Sequence, residues 1–251
     1  MVQDLSSPAI HINMKVYIVT GAGQGIGHQI AQQLISEGHL VVNNDIDSSL
    51  LSGPYSKAGD VSSYDFIQEL VAYALTLPGE LAGCVCNAGV TTFGSFWEYN
   101  PASMKSLLDL NIQGTFFLIQ EVAKAMRKAG NPGSIVVTSS VTGHQAHPDL
   151  AAYGMTKAAL NQLVQNLVID LSPVQIRINA VSPGATMTER TEKDANYLQE
   201  WSRLTPLGKP ADVQDISEAV CFFLSDKAKH ITGQTLIVDG GWTSVSPPPK
   251  A

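Results

Sequence analysis

The sequence predicts an α/β fold, a single-domain doubly wound parallel sheet with helices on both faces. Three observations predict it. Short runs that are apolar at nearly every position recur along the chain, as strands covered on both faces require. Between them lie longer segments whose apolar residues fall at helical spacing. The two kinds of segment alternate throughout, and that alternation builds a parallel sheet.

The elements follow in order. Residues 1–13 are polar and mixed, an N-terminal extension ahead of a periodic pattern that starts at Met14. Buried strands are expected at 16–20, 40–45, 81–87, 134–139, 176–181 and 235–238. Leu160, Leu163, Val164, Leu167, Val168 and Leu171 form one face of a long helix. Ile216, Ala219, Val220, Phe223 and Leu224 repeat that pattern. The domain is expected to span 14–243. Residues 244–251 form a C-terminal tail, because Pro247-Pro248-Pro249 cannot continue a helix or strand. In sheets of this kind ligands bind beyond the carboxyl ends of the strands, so functional residues are sought there.

Composition narrows the function. Of the 251 residues 44% are apolar and 15% charged, which suits a globular chain with a large core. A net charge of −7 argues against nucleic acid as a partner, since phosphate binding needs clustered cations. Cys84, Cys86 and Cys221 suggest no disulfide framework. Cys84 and Cys86 lie two apart, on one buried face of a strand, and read as packing residues in a reducing compartment. There is no secretory leader and no apolar run long enough to span a bilayer. The expected setting is therefore cytoplasmic, without a membrane partner.

The first strand is followed by Thr20-Gly21-Ala22-Gly23-Gln24-Gly25-Ile26-Gly27, which then opens a helix. Glycines allow a tight turn and close backbone approach, while free N–H groups at the helix start attract a diphosphate. Strand, loop and helix in this order raise a weak motif to a specific one. Asp45 closes the next strand, where a carboxylate would accept hydrogen bonds from adenosine ribose hydroxyls. Gln24 supplies no cation and no Lys or Arg lies between Gly27 and Lys57, so a 2′-phosphate would find no partner. The expected cofactor is NAD.

Tyr153-Gly154-Met155-Thr156-Lys157 sets a phenol and an ammonium four residues apart at the start of the 160–171 helix. Residues at i and i+4 share a helix face. A close cation favours the phenolate, which makes Tyr153 a proton acceptor or donor. Ser140 ends the 134–139 strand, placed to hydrogen-bond a substrate oxygen as its charge changes.

With these motifs the sequence resembles the short-chain dehydrogenase/reductase family, over roughly residues 14–243. The family's motifs appear in order: the glycine loop, Asp60-Val61, Asn87-Ala88-Gly89, Asn111, Ser140, Tyr153/Lys157, Pro183-Gly184 and Gly240-Gly241 after Asp239. The resemblance implies a Rossmann-type fold with Tyr153 as acid/base and Ser140 holding the substrate oxygen. It implies that Lys157 binds the nicotinamide ribose and that Asn111 helps anchor a water linking Lys157 to solvent. Asp60 and Val61 would meet the adenine, and Asn87, Ala88 and Gly89 would line the cofactor groove with Gly21, Gln24, Gly25, Ile26 and Gly27. Pro183, Gly184, Thr186 and Thr188 would lie along the nicotinamide. Cys86 departs from the family pattern, which has Asn there.

The implied activity is hydride transfer between nicotinamide and a secondary alcohol or ketone, a sugar or polyol hydroxyl being favoured. His144, Gln145, His147, Asp149, Thr91 and Thr92 would give the pocket a polar rim suited to several hydroxyls. His144 and His147 lack a third ligand nearby, so no metal is expected. The charged stretch 186–203 would be a flap over the substrate. Family analogy further implies a homo-oligomer, a tetramer. Two other readings are a 3-oxoacyl thioester reductase and a non-catalytic NAD(H)-binding sensor or scaffold. An intact set of Asn111, Ser140, Tyr153 and Lys157 disfavours the second.

Overall fold

Alternate residues of the first strand enter different cores, the signature of a strand buried on both faces. Val16 and Ile18 pack into one cluster, Tyr17 and Val19 into the other. This strand, β1 (Lys15–Thr20), leads into α1 (Gly25–Ser36), β2 (Leu40–Asp45), β3 (Ser56–Ala58), α2 (Tyr64–Ala74) and β4 (Glu80–Cys86). Then come α3 (Pro101–Leu107), α4 (Thr115–Ala129), β5 (Gly133–Thr138), α5 (Ala151–Asn166), α6 (Val168–Leu171) and β6 (Ile176–Pro183). The chain closes with α7 (Tyr197–Leu204), α8 (Val213–Leu224) and β7 (Thr235–Val238). The computed structural model describes residues 14–245, so the 1–13 extension and residues 246–251 of the tail lie outside the described residues.

All seven strands lie in one parallel sheet in the order β3-β2-β1-β4-β5-β6-β7. The winding reverses between β1 and β4, which opens a crevice at their carboxyl ends. One core cluster draws on α2, α4 and α5, the other on α1 and α8. This is the doubly wound architecture the sequence predicts.

Three local features differ from expectation. β3 has the polar sequence Ser56-Lys57-Ala58, so no apolar run announces it; it pairs at the sheet edge with Asn43, Asn44 and Asp45. The 160–171 helix is two pieces, α5 and α6, which meet at Leu167 with φ −71° and ψ −10°. Between α3 and α4 the backbone forms a π-helical segment, Leu108–Gly114. Such bulges occur often at functional sites, and this one contains Asn111.

The three cysteines are free and buried. Cys84 and Cys86 Sγ lie 3.7 Å apart on one face of β4. No helix of the described residues is long and apolar enough to cross a membrane.

Candidate active site

The loop after β1 is closed by backbone contact. A Cβ on Gly27 would stand 2.0 Å from the Gly21 carbonyl oxygen, and Gly21 itself adopts a φ of +64°. Asp45, at the end of β2, accepts a hydrogen bond from the Gly23 N–H at 3.1 Å. A Cβ on Gly23 would press against Leu50 and the Asp45 carboxylate. Loop and acidic strand end therefore share one concave surface. Gln24 is exposed at its lip, and Ile26 lines the adjoining cavity.

The start of α1 already attracts an anion. The Gly25 N–H donates to the Glu189 carboxylate at 3.0 Å, across 164 residues of sequence. Free N–H groups and the helix dipole account for this preference.

Asn87 ties three strand ends together. Its side-chain amide donates to the Thr20 and Gly21 carbonyls at 3.1 and 3.2 Å and accepts from Thr138 Oγ1 at 3.2 Å. The Asn87 and Ala88 N–H groups both donate to Thr20 Oγ1 at 3.1 Å. Gly89 follows at close quarters: a Cβ there would be 3.6 Å from Lys157 Nζ. Asp60 is exposed and caps the Ser62 N–H, while Val61 is buried, with its carbonyl against Gly114.

Glycine contacts also bring Ser140 to Tyr153. A Cβ on Gly143 would lie 2.8 Å from the Lys157 carbonyl carbon, and one on Gly154 would lie 2.7 Å from the Thr142 carbonyl oxygen. The loop after β5 thus rests directly on the backbone of α5. Ser140 Oγ accepts from the Thr142 N–H and hydroxyl at 3.2 and 3.0 Å, which leaves its own O–H to donate. Lys157 is buried, gives one donor to the Thr138 carbonyl at 2.8 Å, and lies 5.6 Å from the Tyr153 ring centroid. Tyr153, Ser140 and Lys157 line one cavity of about 750 Å³, together with Pro183, Gly184, Thr186 and Thr188.

Asn111 is buried, and its side chain is saturated. It accepts from the Val90 N–H at 2.9 Å and donates to the Val90 carbonyl and Thr156 Oγ1 at 3.0 and 3.2 Å. The side chain therefore positions the Gly89–Val90 backbone beside Lys157.

The polar rim is thinner than expected. His147 and Thr91 line the cavity, but His144 does not: its Nε2 pairs with Ser182 Oγ and Asn161 Nδ2. Thr92 pairs with the Tyr99 hydroxyl, and Gln145 and Asp149 lie off the lining. Among the described residues no three His, Cys, Asp or Glu side chains cluster to hold a metal ion.

What replaces that rim is aromatic. Phe93, Tyr197, Trp201 and Trp242 line the cavity, with Arg190 and Asp194 beside them. Trp201 meets Trp242 edge to face at 5.1 Å, and Tyr197 lies 6.1 Å from Trp201. The Tyr197 hydroxyl accepts from the Thr186 N–H at 3.1 Å, and burial pushes its phenol pKa up. Tyr197 and Trp201 sit four apart, one face of a short helix. That spacing was visible within the charged stretch, whose inner face they form.

A family model described as enoyl-(acyl carrier protein) reductase matches residues 21–243. A short-chain dehydrogenase/reductase of Armillaria gallica is 32% identical, over 90% of this chain and 95% of that protein. The chain belongs to the short-chain dehydrogenase/reductase family. As a member of that family it is an oxidoreductase. L-rhamnose 1-dehydrogenase (NAD(P)(+)) of Azotobacter vinelandii is 31% identical, over 90% of this chain and 96% of that one. The structure of aldohexose dehydrogenase from Thermoplasma acidophilum superposes with a TM-score of 0.89 at 27% identity, covering 95% of this chain and 98% of that one.

Proposed function

We propose that this chain, as one domain over residues 14–243, oxidises a secondary hydroxyl of a sugar or polyol with NAD⁺, or reduces the corresponding carbonyl. The observation that carries this is the meeting of Tyr153, Ser140 and Lys157 in one cavity, which adjoins a glycine cradle that ends at Asp45.

The cradle fits a dinucleotide. Its glycines bring backbone to within contact distance, and the start of α1 holds a carboxylate where a diphosphate would bind. Gly21, Gln24, Gly25, Ile26 and Gly27 would wrap the diphosphate, with Asp45 on the adenosine ribose and Asp60 and Val61 beside the adenine. Asn87, Ala88 and Gly89 would line the groove floor. Tyr153 and Lys157 would reach the second ribose, and Pro183, Gly184, Thr186 and Thr188 the nicotinamide. When bound, the cofactor supplies the hydride acceptor or donor.

The chain's own residues handle the proton and the oxygen. Tyr153 takes the hydroxyl proton during oxidation and returns it during reduction. Ser140, already accepting from Thr142, donates its O–H to the substrate oxygen and stabilises developing charge there. Lys157 has one donor held by Thr138 and two left for a ribose. Asn111 holds the Val90 backbone in place.

A sugar substrate is supported by the relatives named for L-rhamnose and aldohexoses. Use of NAD rather than NADP rests on Asp45. A 2′-phosphate carries about −1.5 to −2 charges, and unit charges about 4 Å apart repel by roughly 4 kcal/mol at a dielectric near 20. With solvent reducing that, a preference on the order of 10²–10³ for NAD is expected. The test is kcat/KM with NAD⁺ and NADP⁺ on one working sugar. Equal values would show that Asp45 does not face the ribose.

A 3-oxoacyl thioester reductase is the second reading, and NADPH-dependent turnover of an acyl thioester would favour it. Cofactor binding without any turnover would favour a sensor or scaffold. Family analogy also proposes a homotetramer, and the sequence reading a cytoplasmic setting; light scattering and imaging of the full chain would test them.

A further inference from the structure

We infer that Trp201 and Trp242, set nearly at right angles, form an aromatic corner in which one indole is the platform for a face of a sugar ring and the other closes its edge, so that the preferred substrate is a cyclic aldose rather than an open-chain polyol. This rests on the reading of the site as a sugar or polyol oxidoreductase and names the substrate class more closely.

The two indoles lie forty-one residues apart in the sequence. Trp201 belongs to α7. Trp242 follows a turn built on Asp239, whose carboxylate accepts from the Gly241 N–H, the Thr243 N–H and the Thr243 hydroxyl at 2.7 to 2.8 Å. Gly240 and Gly241 take φ values of +63° and +90°, which a bulkier residue rarely adopts. The two segments are stitched together where the Leu207 N–H donates to the Gly240 carbonyl at 3.2 Å. The indoles then meet edge to face at 81°. Both are half-buried and face the cavity that holds Tyr153 and Ser140, so each leaves apolar surface for an occupant.

The chemistry of the lining selects that occupant. A pyranose ring carries hydroxyls around its edge and C–H bonds on its faces. The C–H face suits the electron-rich face of an indole. The edge hydroxyls suit His147, Thr91, Arg190 and Asp194, which lie on the same cavity. A flat hydrocarbon would leave those polar groups unpaired, which a site of this kind penalises. An open alditol presents no lasting apolar face, and flattening its chain would lose rotamer freedom.

The test uses matched probes on the full chain with NAD⁺: D-glucose and L-rhamnose as rings, D-glucitol as the open-chain counterpart, and a hydroxysteroid as a flat apolar alcohol. The expected result is a kcat/KM for the better ring sugar at least about tenfold above that for D-glucitol. Trp201→Leu and Trp242→Leu should raise the ring sugar's KM about tenfold or more while kcat falls less, and Trp242→Phe should restore part of the loss. Ring sugar added to the NADH complex should also quench tryptophan fluorescence, less so in each Leu variant. Preference for D-glucitol or the steroid, or Leu variants with unaltered ring-sugar KM and quenching, would overturn the platform. Quenching by ring sugars without their oxidation would keep the platform and overturn the proposed reaction instead.

Discussion

The carboxyl ends of β1, β4 and β5 and the segment after β6 line one cavity but are built in opposite ways. The first region is held by long-range bonds: Asn87 and Thr20 connect stretches more than fifty residues apart, through groups that are buried or nearly so. The second is held largely by local bonds. Thr191 Oγ1 donates to the Thr186 carbonyl, Thr188 and Thr191 bond each other, and α7 has no buried residue. Its longer-range ties include the Tyr197 hydroxyl, a bridge from Thr186 to Ala211, the Leu207–Gly240 bond and the exposed Glu189 contact. Regions with few buried apolar contacts open at lower free energy than the core. In the proposed function this difference divides the work: the stiff region would hold nucleotide and proton donor, and the looser one would admit and shape the substrate.

The predictions follow that division, and the largest effect is expected at the stiff side. Tyr153→Phe should lower turnover about 10²–10⁴-fold while NADH binding, read by fluorescence, changes little. Near-normal turnover would remove Tyr153 from the proton step. Asn87→Ala strands the Thr20 and Gly21 carbonyls and the Thr138 hydroxyl, and unsatisfied buried groups cost about 1–3 kcal/mol each. We expect a total loss of at least about 3 kcal/mol and a Tm lower by roughly 2–4 °C per kcal/mol lost. An unchanged Tm would show that the strand ends do not depend on this amide.

On the loose side effects should be smaller. Glu189→Gln removes the charge that competes with a diphosphate at α1. A charge at an exposed helix end is worth about 0.3–1 kcal/mol, so ADP-ribose should bind about two- to fivefold more tightly by calorimetry. The gain should shrink as salt is raised. Weaker binding by this variant would make Glu189 a support for the cofactor instead.

The last prediction returns to β1. Burial pushes the Tyr17 phenol up to about 12, from an ordinary value of 10.0. Below pH 10 both folded and unfolded chains keep that proton, and the contribution is fully present. Above it the unfolded chain ionises first, so stability falls as pH rises through 10 to 12. Tyr17→Phe should flatten this alkaline loss of Tm. An identical slope in both proteins would place the alkaline sensitivity elsewhere.

The parts of the molecule that were legible in sequence are those whose chemistry is local. The glycine loop, Asp45 and the Tyr153/Lys157 pair each occupy a fixed offset from a strand or helix end, and the structure brings them to one crevice. β3 escaped because three residues at a sheet edge, two of them polar, need no apolar pattern. The π-helical turn around Asn111 escaped because nothing in the residues Leu108–Gly114 announces a switch to i→i+5 bonding. The aromatic wall escaped for another reason. Trp201 and Trp242 meet only after the chain has folded, and no spacing rule links residues forty-one apart. The same limit explains His144, which sits two residues from the cavity-lining Thr142 yet turns away to Ser182.

The turn on Asp239 has a bearing on how such an enzyme could acquire new preferences. It follows the final strand, draws the bonds of the Asp239 carboxylate from within five residues, and carries Trp242 to the cavity. Exchanging the residue at this position leaves the sheet, the cradle and the proton donor as they are. Selectivity is thus separable from foldability here, and a library confined to position 242 and its partner 201 would sample new substrates without putting the core at risk.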